Sequence, residues 1–133
     1  MALSGAPTPA EVLDVLADLG RPALGADSID ISVLDESGQV LRLLTSRRSS
    51  PQTRIRFATY RADDPYPSRD ALRTRAPVLI QSVQERDQRW PVLRGTQAER
   101  AAWMVLPLLA EGVPLGTVGL GWLRPQSFDG EQV

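Results

Sequence analysis

The sequence predicts an α+β fold: a mainly antiparallel sheet with helices from the chain's two ends on one face and an irregular region with a short helix on the other. An amphipathic helical pattern stands ahead of the first strand pattern. Apolar strand-like runs come in pairs joined by glycine-bearing turns, and a long stretch without periodicity separates the pairs. At 133 residues the chain has the length of a single domain, spanning 1–133, with one contiguous core.

Thr8-Pro9-Ala10-Glu11 reads as a helix start, with Thr8 as N-cap, Pro9 in the first helical position and Glu11 reaching back in a capping box. Val12, Leu16, Leu19 and Ala23 follow at helical spacing, widened by Leu13 and Val15, until Gly20 and Pro22 punctuate the end. Ser28 to Asp35 alternates, with Ile29, Ile31 and Val33 on one face and Asp30 and Ser32 on the other. Gln39 to Thr45 is strand-like again, and Asp35-Glu36-Ser37-Gly38 between them reads as a hairpin turn.

From Ser46 to Pro67 the pattern dissolves into Arg, Ser, Pro and Asp, which in a compact domain points to a functional loop. Ser68 to Thr74 can form a short helix capped by Ser68, and Val78-Leu79-Ile80 a short strand. Val83 to Gly95 reads as helical or irregular, broken at Trp90-Pro91 because a residue before proline disfavours the α region. Ala101 to Ala110 and Leu115 to Leu123 form the clearest hairpin, joined by Glu111-Gly112-Val113-Pro114. A final helix is expected from Ser127, so the chain reads as a piece of a longer protein.

Composition narrows the chemistry. The 15 basic residues, all arginine, nearly balance 16 acidic ones, so no net field draws the chain to nucleic acid or to an anionic membrane. Cysteine and histidine are both absent. That excludes disulfides, thiolate nucleophiles, Cys/His zinc sites, histidine-ligated haem and an imidazole base. No cofactor is expected and the chain does not read as an enzyme. The start lacks a signal-peptide pattern, and the longest apolar stretch is short for a membrane span and contains Pro107, so a cytoplasmic location is expected.

At the last hairpin, Leu106-Pro107-Leu108 followed by Glu111-Gly112-Val113-Pro114-Leu115-Gly116-Thr117-Val118-Gly119-Leu120 resembles the "PL, short turn, G-x-P-L-G-x-L-x-L" segment of the GAF family. Gly25-Ala26-Asp27 resembles its "GA-D", Ala71 to Ile80 its "A-x-x-T-G-x-P-V-x-I", Trp90-Pro91 its "YP" and Phe128 the start of its last helix. The long helix before the first strand and the match of the last hairpin favour this family over PAS. The resemblance implies a six-stranded antiparallel sheet with helices on one side and, where present, a ligand pocket on the other. It also implies a sensing or dimerising role and an attached output domain of phosphatase or kinase type. Among relatives, the chain looks most like modules ahead of PAS and SpoIIE-type serine/threonine phosphatase domains in high-GC bacteria. Without cysteine it cannot attach a bilin or act as a thiol-based methionine-sulfoxide reductase. Without lysine it lacks the Asn-Lys-x-x-Phe-Asp-Glu signature of cyclic-nucleotide-binding members.

Aromatic groups with polar tips suit a small-molecule pocket, so Phe57, Tyr60, Tyr66 and Trp90 are candidate ligand contacts, with Leu79, Trp103 and Val105 as its floor. Plain core packing is the competing reading. Arg54, Arg56, Arg61, Arg73 and Arg86 could pair with an anion, but the interleaved Asp63, Asp64, Asp70, Glu85 and Asp87 favour a solvated mixed-charge surface. Asp63-Asp64 alone is no metal or catalytic motif. Gly116, Gly119 and Gly121 lie within a strand, so they are not expected to cradle a phosphate; Gly119 and Gly121 are expected to keep one face flat so that a helix can approach. The expected function is a non-catalytic sensory or regulatory module, a homodimer, that binds an unknown small molecule or transmits a conformational signal to an attached output domain. The alternative is a degenerate spacer that dimerises through Val12, Leu16 and Leu19.

Overall fold

The computed structural model describes residues 9–128. The expected Thr8 cap lies outside them, as does the body of the helix expected after Ser127.

Helix α1 spans Pro9–Ala23 and is followed by the hairpin of β1 (Ser28–Leu34) and β2 (Val40–Arg47). Next come α2 (Pro51–Arg56), β3 (Thr59–Arg61), α3 (Pro67–Thr74), β4 (Val78–Ile80) and α4 (Val83–Arg89). A 3-10 turn at Pro91–Leu93 leads into the closing hairpin, β5 (Ala102–Ala110) and β6 (Val113–Trp122). The strands form a single six-stranded sheet in the order β3-β2-β1-β6-β5-β4, antiparallel at every pairing, which is the expected α+β architecture.

Local chemistry explains the elements that periodicity alone left irregular. Helix α2 falls in the Ser46–Pro67 stretch read as a loop, and it has no amphipathic stripe because only Thr53 of its residues is buried. It forms because Ser50 accepts a hydrogen bond from the Thr53 amide at 3.1 Å and Pro51 occupies its first turn. In α3, Pro67 takes the first helical position after Tyr66, so the expected cap, Ser68, lies one residue inside the helix. Ser82 caps α4 through the Glu85 amide at 3.2 Å, while Glu85 reaches back to the Gln81 amide at 2.7 Å. The closing hairpin turns on Glu111 and Gly112, both with positive φ, the conformation that suits a two-residue turn. Val113 and Pro114, read as loop, therefore belong to β6.

The sheet separates two apolar clusters. On one face Ile29, Ile31, Met104, Leu120 and Trp122 pack with Ala17 and Leu13 of α1. On the other, Val78, Ile80 and Trp103 pack with Ala71, Trp90 and Leu93 from the helical segments above. Helix α1 thus buries Leu13 and Ala17 and leaves Val12, Leu16 and Leu19 outward, 42%, 50% and 66% exposed. Gly116 is fixed by strand spacing: a Cβ there would lie 2.1 Å from the Ser32 carbonyl oxygen across the β1–β6 pair.

Candidate functional site

The second sheet face carries a cavity of about 90 Å3 beneath α2, β3 and the start of α3. Its floor follows from strand alternation. Asp30 and Ser32 of β1, Thr117 and Gly119 of β6, and Trp103 and Val105 of β5 lie on that side, brought level by the pairs Asp30↔Gly119, Ser32↔Thr117 and Val105↔Gly119. Small and polar residues on two central strands leave room where the opposite face has Ile29, Ile31 and Leu120.

Phe57, Tyr60 and Tyr66 form the roof, an edge-to-face trio with centroid separations of 6.1, 5.6 and 5.3 Å. The Tyr60 hydroxyl meets those of Ser68, Thr117 and Ser32. Burial pushes its pKa above the ordinary phenol value, while those hydrogen bonds pull the other way, so it stays a neutral hydroxyl.

Arg100 and Arg86, both nearly fully buried, stand in the wall. Arg100 Nη2 donates to Asp30 Oδ2 at 2.9 Å and also to Ser49 Oγ. Asp30 Oδ1 in turn accepts from Ser46 at 2.6 Å and Ser49 at 2.7 Å, so both its oxygens are engaged. Gly121 makes this possible, since a Cβ there would come within 2.6 Å of Arg100 Cδ. Arg86 donates to Asp87 at 3.0 Å and to the Thr96 carbonyl at 3.0 Å, and its guanidinium lies 4.6 Å over the Trp103 ring. Two donor-only atoms on lining residues, Arg100 Nε and Trp103 Nε1, are buried without a hydrogen-bond partner among the described residues.

Of the residues singled out from sequence, Phe57, Tyr60, Tyr66, Trp103 and Val105 line this cavity together. Leu79 does not: it pairs with Met104 across β4–β5, which puts it on the α1 face, where it packs against that cluster. Trp90 is also outside the lining, packed behind it, with its indole donating to Asp70 at 3.0 Å and Arg89 stacked 4.3 Å over its ring. Arg86 leaves the expected solvated surface and is buried, whereas Arg61 and Asp63 pair in the open at 3.1 Å. Sequence reasoning passed over Arg100, Asp30, Ser32 and Thr117. For Asp30 and Ser32 the polar face of an otherwise apolar strand was the signal; Arg100, outside any strand, had none.

Among the described residues no group of three or more His, Cys, Asp or Glu side chains could hold a metal ion. No helix among them is long and apolar enough to cross a membrane.

A six-stranded antiparallel sheet with a cavity opposite its first helix is the architecture of small sensory and regulatory modules. The GAF domain family model matches residues 6–133, and the chain belongs to that family. It therefore stands among modules that regulate signalling outputs and, having no cysteine, apart from the thiol-based reductases of the family. No match is found among curated protein sequences. Solved structures agree in fold. The GAF domain of an Acinetobacter phosphoenolpyruvate-protein phosphotransferase superposes with a TM-score of 0.75 at 16% identity, covering 98% of this chain and 76% of that one. A GAF domain/HD domain protein from Geobacter sulfurreducens gives 0.73 at 18% identity, covering 98% and 85%. The second GAF domain of DevS from Mycobacterium smegmatis gives 0.69 at 20%, covering 94% and 82%.

Proposed function

We propose that this chain is the sensor module of a longer cytoplasmic signalling protein and that the cavity under α2 and β3 takes its small-molecule signal. The carrying observation is that a sheet face beneath aromatic side chains is left unfilled and ringed by buried polar groups. A structural spacer gains nothing from such an arrangement, because unpaired buried donors cost stability. Ligand binding shifts the balance between loop conformations and hands that shift to an attached output domain of phosphatase or kinase type, such as a SpoIIE-type phosphatase alone or with a PAS domain between.

The test is a thermal-shift screen of small metabolites on the parent chain and on Gly119→Val. The added side chain enters the cavity, where even a Cβ has nothing closer than 3.9 Å. A ligand at a hundredfold excess over its Kd adds about 2.7 kcal/mol, roughly 8–10 °C for a domain of this size. The expected result is such a rise in the parent and its loss in Gly119→Val.

A second reading rests on the exposed apolar ridge Val12, Leu16 and Leu19 of α1, which suits a homodimer and a purely structural spacer. A dimer dispersed by Leu16→Asp, with no thermal shift from any compound, selects it.

A further inference from the structure

We infer that the cavity takes a small monoanion with a planar oxygen head, a carboxylate or an inorganic oxyanion, held between Arg100 and the indole N–H of Trp103. This rests on the reading of the cavity as the ligand site and adds the chemistry of the ligand.

The hydrogen-bond inventory of the wall is lopsided. Arg100 Nε and Trp103 Nε1 only donate, both belong to residues 5% exposed, and neither has a partner among the described residues. The Glu99 carboxylate stands 3.8 Å from Arg100 Nε, outside hydrogen-bonding range. The acceptors on the same wall are committed, since Asp30 takes donors from Ser46, Ser49 and Arg100. A ligand rich in donors would find mainly the hydroxyls of Ser32, Thr53, Ser68 and Thr117, whereas delocalised oxygens can accept from the orphaned donors of both residues.

Charge points the same way. Arg54, Arg86 and Arg100 line the cavity against Asp30 alone, while Asp87 and Glu99, which accompany the buried arginines, are not part of the lining. Size sets the limit: about 90 Å3 is far below the roughly 300–1,000 Å3 of drug-sized pockets, so nucleotides and haem are too large without rearrangement. Phe57, Ile80, Leu93 and Val105 complete the walls and leave an apolar berth for a short alkyl tail. An open groove between α2 and the loop at 95–99 shares Thr53, Phe57 and Gln97 with the cavity.

The experiment is isothermal titration of the whole chain with formate, acetate, propionate, butyrate and nitrate, set against acetamide and propionamide as uncharged isosteres and chloride as the salt control. The expected result is that at least one anion binds ten times more tightly than the matching amide or chloride. Trp103→Phe, which keeps an aromatic ring but removes the five-membered ring with its N–H, should weaken that anion at least fivefold and weaken it more than it weakens the matching amide. A gain along the series from acetate to butyrate identifies a carboxylate with an apolar tail; nitrate or formate as the best ligand identifies an inorganic oxyanion. Amides that bind as well as the acids, and lose binding in Gly119→Val, overturn the anion assignment and leave the ligand site standing. If no anion or amide binds, the assignment falls, and if the wider metabolite screen is also silent, the ligand site falls with it. The doubly neutral variant Asp30→Asn with Arg100→Gln removes the buried charge pair together, and anion binding undiminished in it also overturns the proposal.

Discussion

The two faces of the sheet are built on opposite rules. Toward α1, the side chains of β1, β5 and β6 are large and apolar, and Ile31 and Leu120 are sealed from solvent. Toward α2 and α3, β1 and β6 present Asp30, Ser32, Thr117 and Gly119, and beside the apolar cluster around Trp103 the space holds a charge network and a cavity. One face therefore provides cohesion, while the other gives up cohesion for a polar interior. Substitutions on the first should cost through lost packing, and substitutions on the second through unpaired polar groups or through occupancy of the cavity.

The largest effect is expected from Leu120→Ala, which opens a hole in a fully buried position and should cost about 4 kcal/mol in a denaturant titration. Asp30→Ala should cost about 3 kcal/mol, because it strips Arg100 of its buried counter-charge while deleting almost no apolar contact. If the two variants are reversed in severity by a wide margin, the contrast between the faces is wrong. Glycines sharpen it further. Gly116→Ala drives a Cβ into the β1 backbone and should destabilise by more than about 2 kcal/mol, while Gly119→Ala, which points into the cavity, should remain within about 1 kcal/mol of the parent.

The smallest effect concerns pH. Burial works to raise the Glu99 pKa, but hydrogen bonds from its own amide and from Thr53, with the charge of Arg100, together hold it below its ordinary 4.5. A depressed carboxylate pKa stabilises the fold above its unfolded value, and that contribution is lost as pH falls through the folded value. Melting temperatures followed from neutral pH into the acid range should therefore decline less steeply in Glu99→Gln than in the parent.

Much of the first face was legible from sequence because period-2 alternation and the glycine turn of the closing hairpin are local signals. The second face was legible only in part. Phe57, Tyr60 and Tyr66 stood out as aromatic groups in a polar stretch, and they do meet. Asp30 and Ser32 read only as the polar face of an alternating strand, since nothing local says that a distant segment will roof them. Arg86 and Asp87 looked like surface charge until Trp103 supplied a ring for the guanidinium to stack on. Leu79 was placed on the wrong side because a three-residue strand carries too little alternation to fix its register without its partner. Helix α2 and strand β3 escaped notice for a similar reason: one has a single buried residue, the other only three residues in all.

The β1–β6 pair is where the chain both enters and leaves the sheet. Asp27 clasps the two strands at that end, its amide bonded to the Gly121 carbonyl at 2.8 Å and its carboxylate receiving the Leu123 amide at 2.7 Å. The cavity floor at Asp30 and Gly119 lies three residues along β1 from Asp27 and two along β6 from Gly121, no more than about 10 Å of extended chain. The cavity floor therefore lies close to both exits: only residues 24–27 lead from that strand pair back to α1, and only residues 123–127 lead on to Phe128.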